Sequence, residues 1–221
     1  MPPQTQSSYN TAPSPIIVPE TGIIHPRDRA ETRFETQTKH SILISSKHIR
    51  RRLAGLAREI VRATRKDKKK EINFLVVLKG AVFFGCRLAQ EIFRMGGPDV
   101  IIHFVSASSY GKSMRSSGRC RITGKLSMLS GRDVIVVEDI CDTGLTLDRI
   151  KRRLLNKEHA ASVKNCVLLN KSAQRLPRLK KTPILDFIGF QIPKVFVAGF
   201  GLEYFEKYRE LPFIIAINNK E

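Results

Sequence analysis

The chain of 221 residues contains no tryptophan, no Cys-x-x-Cys pair and no apolar run that approaches the length of a membrane span. A span needs about 20 consecutive apolar residues, so we expect no membrane insertion. Four cysteines lie far apart, at Cys86, Cys120, Cys141 and Cys166, which argues against a zinc knuckle and predicts reduced thiols in a reducing compartment. The basic clusters are not interleaved with aromatics, as a groove that stacks single-stranded nucleic acid would be.

The two ends of the chain give no targeting signal. The first 22 residues are rich in Pro, Ser, Thr and Gln and have no apolar core behind a basic start. They predict a disordered N-terminal arm, not a signal peptide. The final residues, INNKE, are not a peroxisomal tripeptide. We therefore expect a cytoplasmic protein, with a peroxisome-like organelle left open only if a further C-terminal signal exists.

Positive charge is in excess, since 39 Lys and Arg face 20 Asp and Glu and the net charge is +19. Such an excess favours polyanionic partners, whether nucleic acid, an acidic membrane surface or phosphorylated small molecules. The basic residues cluster at 50–52, 66–70, 149–153 and 175–181. Any one of these clusters is more often a solvated face than a binding site, so charge alone does not choose among the partners.

Apolar runs typical of buried parallel strands alternate with helical patterns along the chain. The predicted strands are 72–78, 100–105, 134–137, 163–169, 184–190 and 213–217, and the predicted helices begin at Ser46, after Lys79 and at Leu147. This alternation predicts one α/β domain, 23–221, whose mostly parallel twisted sheet is flanked by helices and binds ligands at the carboxyl ends of its strands. The small, polar segment 106–124 predicts a mobile loop of the kind that often forms a lid.

Residues 133–150, DVIVVEDICDTGLTLDRI, run from a strand through two acids into a small turn and then a helix. Thr143, Gly144 and Thr146 offer backbone N–H groups, hydroxyls and the positive end of a helix dipole, a combination that binds a monophosphate. Glu138 and Asp139 would repel that phosphate unless they face something else, and ribose hydroxyls or Mg²⁺ are their natural partners. The stretch matches neither a P-loop nor a dinucleotide fingerprint.

This stretch resembles the phosphoribosyl pyrophosphate motif of type I phosphoribosyltransferases, which has two acids and then Asp-Thr-Gly-x-Thr. The resemblance implies that family's fold, with a small hood built from the terminal segments. It implies that Glu138 and Asp139 face the ribose hydroxyls and Mg²⁺, and that Asp142 is the catalytic acid that handles a proton at N7 of a purine. The implied phosphoribosyl site consists of Glu138, Asp139, Asp142, Thr143, Gly144, Leu145 and Thr146.

Two further stretches resemble the loops around the diphosphate in hypoxanthine-guanine phosphoribosyltransferases. LVVLKGAVFF, 75–84, resembles the pyrophosphate loop, in which the Lys-Gly peptide can be cis, and SSYG, 108–111, resembles the start of the mobile loop. The residues that this resemblance implies are Lys79 and Gly80 for pyrophosphate, and Ser109 and Tyr110 for closure over the diphosphate.

Two more stretches resemble the purine site of the same family, and the whole resemblance covers about residues 40–217. LLNK, 168–171, resembles the strand end whose Lys selects an oxo group over an amino group at purine position 6. VFVAGFGLEYFEKYREL, 195–211, resembles the segment that stacks on the base, reads its edge, binds a metal and reaches pyrophosphate. The implied residues are Lys171 for O6, Phe196 for stacking, Val197 for the base edge, Glu203 for the metal and Arg209 for pyrophosphate.

The resemblance implies an enzyme that joins phosphoribosyl pyrophosphate to N9 of a 6-oxopurine with Mg²⁺, as a homodimer or homotetramer with no specific nucleic-acid partner. Glu203 stands where that family usually has Asp, and Leu145 occupies a variable position. The longer acid predicts that xanthine is accepted beside hypoxanthine and guanine. A strict hypoxanthine-guanine enzyme and an enzyme for another base stay open, as does a regulator that senses phosphoribosyl pyrophosphate and binds nucleic acid, although Asp142, Lys171 and the loop favour an enzyme.

Overall fold

The structure is a computed structural model that describes residues 15–24, 33–35, 38, 40–66, 71–109, 120–180 and 184–217. Its strands are β1 (Ile16–Ile17), β2 (Ser41–Ile44), β3 (Glu71–Leu78), β4 (Asp99–Ser109), β5 (Cys120–Thr123), β6 (Asp133–Cys141), β7 (Ser162–Asn170), β8 (Phe187–Gln191), β9 (Val197–Ala198) and β10 (Ile214–Ala216). Seven of them form the main sheet, in the order β1-β8-β7-β6-β3-β4-β5. All neighbours in this sheet are parallel except β4 and β5, so the predicted mostly parallel sheet is confirmed.

Helices cover both faces of the main sheet. They are α1 (Ser46–Lys66), α2 (Val82–Arg94), α3 (Leu145–Asn156) and the short α4 (Pro177–Lys180). The apolar side chains of α1 and α2, such as Leu56 and Phe84, share one buried cluster, whereas Leu147 and Ile150 of α3 belong to the cluster on the other face. Because both faces are covered, the central strands are continuous apolar runs, and the six interior residues of β3 are all buried.

A second, antiparallel sheet has the order β2-β10-β9 and joins the N-terminal part of the described chain to its C-terminal part. Ile42, Phe213 and Ile215 form its buried centre, against which the rings of Phe34 and Tyr208 pack. This sheet is the hood that was expected from the terminal segments.

The order of the strands places a crevice at the carboxyl ends of β3 and β6. The chain leaves β3 through α2 on one face and leaves β6 through α3 on the other, while β3 and β6 are neighbours in the sheet. Adjacent strands whose helices depart to opposite faces leave an opening between their ends, which is where open α/β sheets bind ligands. Most of the sequence-predicted site residues lie at or just after the carboxyl ends of these two strands and of β7.

The prediction that residues 1–22 are a disordered arm is wrong for part of that segment. Ile16 and Ile17 form β1, which pairs in parallel with Phe190 and Gln191 of β8, and Val18 donates to the Gln191 carbonyl at 2.8 Å. A two-residue strand has no periodicity to reveal it, and it is held by main-chain hydrogen bonds to a neighbour distant in sequence. Residues 1–14 lie outside the described part of the chain.

The predicted loop 106–124 is partly a hairpin. Ser106 at the end of β4 pairs with Thr123 of β5, and Ser109 pairs with Cys120, so polar residues extend the sheet at its edge. The edge strand β5 has only one neighbouring strand and needs no continuous apolar pattern, so its sequence does not distinguish it from a loop. Residues 110–119, including Tyr110, lie outside the described residues.

Two of the predicted strands are shorter in the structure, whereas β4 and β6 extend beyond the predicted 100–105 and 134–137. The run 184–190 becomes strand only from Phe187, because Asn165 binds the preceding segment: its Nδ2 donates to the Ile184 carbonyl at 2.6 Å and its N–H to Asp186 Oδ2 at 2.8 Å. The run 213–217 shortens to β10. In the described ranges, no helix combines the length and the apolar character that crossing a membrane would take.

Candidate active site

Three neighbouring strands, β3, β6 and β7, bring most of the predicted site residues together at their carboxyl ends. Lys79 and Gly80 follow β3, Glu138 and Asp139 lie near the end of β6, and Lys171 follows β7. The structure has a cis peptide bond between Leu78 and Lys79, one peptide earlier than the Lys79–Gly80 bond that the resemblance suggested.

Gly80 lies directly against the carboxylate of Asp139. A Cβ at position 80 would lie 1.7 Å from Asp139 Oδ2, so no other residue fits there unless the acid moves. On its other side, the carbonyl oxygen of Gly80 would lie 2.0 Å from a Cβ at Gly201. Two glycines therefore allow the loop after β3, the acid of β6 and the segment after β9 to meet.

The turn 142–146, here called the phosphate turn, connects β6 to α3. Gly144 has φ +83°, in the left-handed region, and a Cβ there would lie 2.5 Å from Ile184 Cδ1. Thr143 Oγ1 accepts a hydrogen bond from the N–H of Leu145 at 3.3 Å, and Thr146 follows in the first turn of α3. The first N–H groups of a helix have no partner within the helix, so this turn presents donors and a positive dipole end at the sheet edge.

Arg175 lies beneath the phosphate turn and was missed in the sequence. Its guanidinium is buried and donates to Cys141 Sγ and Asn170 Oδ1, and Nη1 would lie 2.7 Å from a Cβ at Gly144. The next residue, Leu176, donates its N–H to the Thr143 carbonyl at 3.1 Å. Arg175 belongs to the basic cluster 175–181, which the sequence analysis interpreted as a solvated face. Only its position, five residues after the end of the apolar strand β7, could have indicated a place near the site.

Burial dominates the electrostatics of the two acids of β6. Burial raises the pKa of Glu138 well above its usual range, and the negative charges of Asp139 and Asp142 raise it further, against the guanidinium of Arg175. Burial also raises the pKa of Asp139, to about 6, although the N–H of Ile140 donates to its Oδ1 at 2.8 Å. Paired carboxylates that resist ionisation in the free protein are typical of a site built for positive charge or for hydroxyl donors.

Lys171 and Asp142 face each other across the ends of β7 and β6. Lys171 Nζ lies 3.6 Å from Asp142 Oδ1, and the N–H of Lys171 donates to the Cys141 carbonyl at 3.0 Å. The lysine is buried, with 8% of its side chain exposed, whereas 43% of the Asp142 side chain is exposed. Asp142 Oδ1 itself is buried and accepts no hydrogen bond within the described residues. A buried cation thus lies beside a carboxylate oxygen that accepts no hydrogen bond within the described residues.

The C-terminal segment contributes one aromatic side chain and one main-chain site. Phe196 is 48% exposed and packs edge-on against Tyr204, with 5.7 Å between ring centroids, while its carbonyl accepts from the N–H of Ile217 at 2.9 Å. Val197 is buried in β9. An exposed ring anchored by its main chain is available to stack on a planar ligand.

Arg209 is tied to the loop that meets Gly80. Its Nη1 donates to the Gly201 carbonyl at 2.8 Å, and Gly201 returns an N–H to the Arg209 carbonyl at the same distance. Arg209 Nη2 lies 3.9 Å from Glu203 Oε1 and 3.4 Å from Glu206 Oε2, and Glu206 Oε2 lies 3.5 Å from Lys79 Nζ. Sequence reasoning missed Glu206, because no motif sets it apart from the other acids of the chain.

The structure does not bring together the three acids that were expected to bind a metal ion, which are Glu138, Asp139 and Glu203. Among the described residues there is no group of three or more His, Cys, Asp or Glu that could hold a metal ion. The oxygen donors of Glu138 and Asp139 are nevertheless of the kind that Mg²⁺ takes, and Mg²⁺ commonly uses only one or two protein carboxylates and completes its shell with water and substrate phosphates. Ser109 ends β4 at the same sheet edge, but its side chain is outside the described part.

Comparisons with known proteins agree with this arrangement. Residues 42–204 match the family model of the phosphoribosyl transferase domain. The hypoxanthine-guanine phosphoribosyltransferase of Mycobacterium avium is 38% identical over 178 residues, which cover 79% of this chain and 83% of that protein. The enzyme of that name from Dictyostelium discoideum is 37% identical over 176 residues, or 78% of this chain and 92% of its own.

Solved structures give the same picture. The hypoxanthine phosphoribosyl transferase of Trypanosoma cruzi superimposes with a TM-score of 0.72 at 32% identity, over 80% of this chain and 91% of that one. A hypoxanthine-guanine phosphoribosyltransferase of Bacillus anthracis gives a TM-score of 0.69 at 36% identity, over 80% of this chain and 98% of that one.

Proposed function

The chain belongs to the phosphoribosyltransferase family, and from this we propose that it transfers the 5-phosphoribosyl group of phosphoribosyl pyrophosphate to N9 of 6-oxopurines in purine salvage. The N9–C1′ bond forms, the bond from C1′ to the pyrophosphate oxygen breaks, and the products are a nucleoside 5′-monophosphate and pyrophosphate. The purine loses one proton in the exchange.

The relation between Lys171 and Asp142 is the observation that carries this proposal. Lys171 Nζ and Asp142 Oδ1 lie 3.6 Å apart beside the phosphate turn, and Asp142 Oδ1 has no hydrogen-bond donor in the described structure. A purine whose O6 accepts from Lys171 and whose N7 meets Asp142 would satisfy both groups, because those two atoms are adjacent on one edge of the ring. A 6-amino group would bring its own hydrogens towards the ammonium of Lys171, which selects against adenine.

The phosphate turn and the acids of β6 hold the sugar. Thr143, Gly144, Leu145 and Thr146 bind the 5′-phosphate through N–H groups and hydroxyls at the start of α3, with the cation of Arg175 beneath them. Glu138 and Asp139 accept hydrogen bonds from the ribose hydroxyls. Because the transition state develops positive charge on the ribose, nearby carboxylates also stabilise it electrostatically.

The pyrophosphate leaves on the side of Lys79 and Arg209. The ammonium and the guanidinium stabilise the negative charge that grows on the leaving group, and the main chain at Gly80 approaches it closely because position 80 has no side chain. Asp139 and Glu138, and by the family resemblance Glu203, are the residues that would hold Mg²⁺, which when bound would neutralise charge on the diphosphate. From the family resemblance alone, we assign to Ser109 and Tyr110 the closure over the diphosphate, which would exclude water.

The base stacks on Phe196, whose ring is exposed, and the main chain around Val197 reads position 2 of the purine. Glu203 has one methylene more than the Asp usual at this position, which displaces the acid relative to that main chain. We therefore include xanthine, with an oxo acceptor at position 2, among the substrates beside hypoxanthine and guanine. An enzyme restricted to hypoxanthine and guanine is the second candidate, and the names of the similar proteins favour it, since they include hypoxanthine and guanine but not xanthine.

Assembly and location follow from the family only as proposals. We propose a homodimer or homotetramer in the cytoplasm, with phosphoribosyl pyrophosphate and a purine base as its small-molecule partners and no specific nucleic-acid partner.

The test is nucleotide formation from phosphoribosyl pyrophosphate and Mg²⁺ with hypoxanthine, guanine, xanthine and adenine in parallel. Turnover of the first three without adenine supports the proposal, and turnover of hypoxanthine and guanine alone supports the restricted enzyme. Binding of phosphoribosyl pyrophosphate without turnover of any base would overturn the proposal in favour of a regulator that senses it.

A further inference from the structure

Glu206 joins the two cations of the pyrophosphate side in the free protein. Its Oε2 lies 3.5 Å from Lys79 Nζ and 3.4 Å from Arg209 Nη2, although these residues are far apart in sequence. One carboxylate oxygen thus has the surroundings that an oxygen of a phosphate would have between the same two side chains.

The backbone of the turn presents this carboxylate. Phe205, Glu206 and Tyr208 have φ of 51°, 60° and 73°, all in the left-handed region that non-glycine residues rarely adopt. Tyr204 and Lys207 exchange two main-chain hydrogen bonds of 3.1 Å, and the N–H of Glu206 donates to Glu203 Oε2. The position of Glu206 is therefore set by a hydrogen-bonded turn and not only by its own side-chain rotation.

We propose that Glu206 is an internal counter-anion, which occupies the pyrophosphate subsite of the empty enzyme and is displaced when a diphosphate enters. It holds the ammonium of Lys79 and the guanidinium of Arg209 together while no ligand is present. The carboxylate competes with pyrophosphate and with the diphosphate of phosphoribosyl pyrophosphate, and it promotes the departure of pyrophosphate after transfer. This inference rests on the proposed function and adds a residue that sets the affinity for one of its ligands.

The exposure of the three side chains fits an exchangeable contact. Lys79 and Glu206 are 71% and 69% exposed, whereas Arg209 is only 24% exposed and is fixed by the Gly201 carbonyl. Exposed ion pairs are weak because water and salt screen them, and a diphosphate carries more negative charge than one carboxylate. Glu206 can therefore be displaced readily, and its removal should change affinity by a small factor.

Alternatively, Glu206 could bind the cation that accompanies the diphosphate. This role predicts the opposite change in pyrophosphate affinity when the charge of Glu206 is removed. Substituting Glu206→Gln removes the negative charge and keeps the shape of the side chain. If Glu206 competes with the diphosphate, the variant binds pyrophosphate more tightly. If Glu206 helps to hold the accompanying cation, the variant binds pyrophosphate more weakly.

The experiment measures binding of pyrophosphate in excess Mg²⁺ by calorimetry for the full chain, Glu206→Gln and Glu210→Gln. Glu210 is exposed on the neighbouring part of the same segment, so its substitution makes the same change in net charge. We expect Glu206→Gln to bind pyrophosphate about threefold more tightly and to lower KM for phosphoribosyl pyrophosphate by a similar factor. Glu210→Gln should behave as the unaltered chain.

Affinity for inosine monophosphate is the control, because this ligand has no diphosphate. A general disturbance of the fold would change it, whereas loss of the Glu206 charge should not. This affinity should be equal in all three proteins. Equal or weaker pyrophosphate binding by Glu206→Gln, in a chain that still converts hypoxanthine, would overturn the counter-anion and leave the proposed function standing. Absence of turnover in the unaltered chain would instead remove the proposed function.

Discussion

Asp139 fills the space that a side chain on Gly80 would need, since a Cβ at position 80 would lie 1.7 Å from Asp139 Oδ2. The loop after β3 and the acid of β6 therefore fit together only while residue 80 is glycine. The φ of Gly80 is not in the left-handed region, so the contact with Asp139, and not backbone conformation, enforces the glycine.

Gly80→Ala should lower kcat/KM for phosphoribosyl pyrophosphate on the order of 100-fold, because a displacement of about 1 Å in a positioned group has effects of that size. Steady-state kinetics with hypoxanthine measures it. Gly131→Ala is the control: Gly131 has φ +68° and nothing within 4 Å of a Cβ, so the variant should lose about 1 kcal/mol of stability and keep its activity. An equal loss of activity in both variants would refute the role of the Gly80 contact.

Asp142→Asn should lower kcat about 10² to 10⁴-fold, because the amide cannot take up the proton that the purine loses. Binding of phosphoribosyl pyrophosphate should stay close to that of the unaltered chain, since Thr143 to Thr146 are unchanged. Single-turnover kinetics and a direct binding assay separate the two effects. Asp99→Asn, at the exposed start of β4, serves as the control, and unchanged turnover in Asp142→Asn would remove Asp142 from the chemistry.

Lys171→Gln should lower kcat/KM for hypoxanthine about 10- to 100-fold, the usual loss when a charged hydrogen-bond donor is removed. The rate with adenine should not fall, so the discrimination between the two bases narrows. Parallel assays with both bases test this, with the exposed Lys194→Gln as control. Loss of both rates by the same factor would indicate a damaged fold instead of a lost contact with O6.

Glu203→Asp should favour hypoxanthine over xanthine by about tenfold relative to the unaltered chain, since one methylene in a binding site changes selectivity by roughly that factor. The ratio of kcat/KM values for the two bases is the measurement. Glu210→Asp applies the same shortening at an exposed position of the segment. If the ratio is the same in all three proteins, Glu203 does not determine the range of bases.

Asp139→Asn should stabilise the free protein at pH 7. The pKa of Asp139 is about 6 in the folded chain against 3.8 without the fold, so the folded state binds the extra proton and the free energy of unfolding falls as pH rises from about 4 to 6. The variant lacks this decrease and should be more stable at pH 7 by at most about 3 kcal/mol, an advantage that disappears below pH 4. Urea unfolding at several pH values checks it, and an advantage independent of pH would contradict it.

The sequence predicted the parts of the fold that have a repeating physical pattern. The apolar run of β3 and the helical spacing in α1 depend on burial, which shows in the order of residue types, so β3 was predicted to within one residue and α1 at its observed first residue. β1 and β5 depend on main-chain hydrogen bonds to particular neighbours. The paired residues at this edge, such as Ser106, Ser109 and Thr123, are of types common in loops. Local sequence therefore does not distinguish an edge strand from a loop.

The site residues also fall into those that the sequence revealed and those that only the structure revealed. Thr143, Gly144 and Asp142 lie within one turn, where order along the chain already determines their chemistry. Arg175 and Glu206 acquire their roles from residues distant in sequence: Arg175 lies under Gly144, and Glu206 meets Lys79. A buried arginine and a solvated one look alike in a chain with 39 basic residues, so only the tertiary contacts could separate them.

Ile16 and Ile17 form β1, the edge strand of the main sheet next to β8. Without them, Phe187–Gln191 would present a free row of N–H and carbonyl groups, which is a template for pairing with another molecule. The chain thus closes its own sheet with a strand too short to be extended by a neighbour. Shortening the N terminus up to residue 15 keeps this closure, whereas cutting beyond residue 17 would leave an aggregation-prone edge that no active-site assay would reveal.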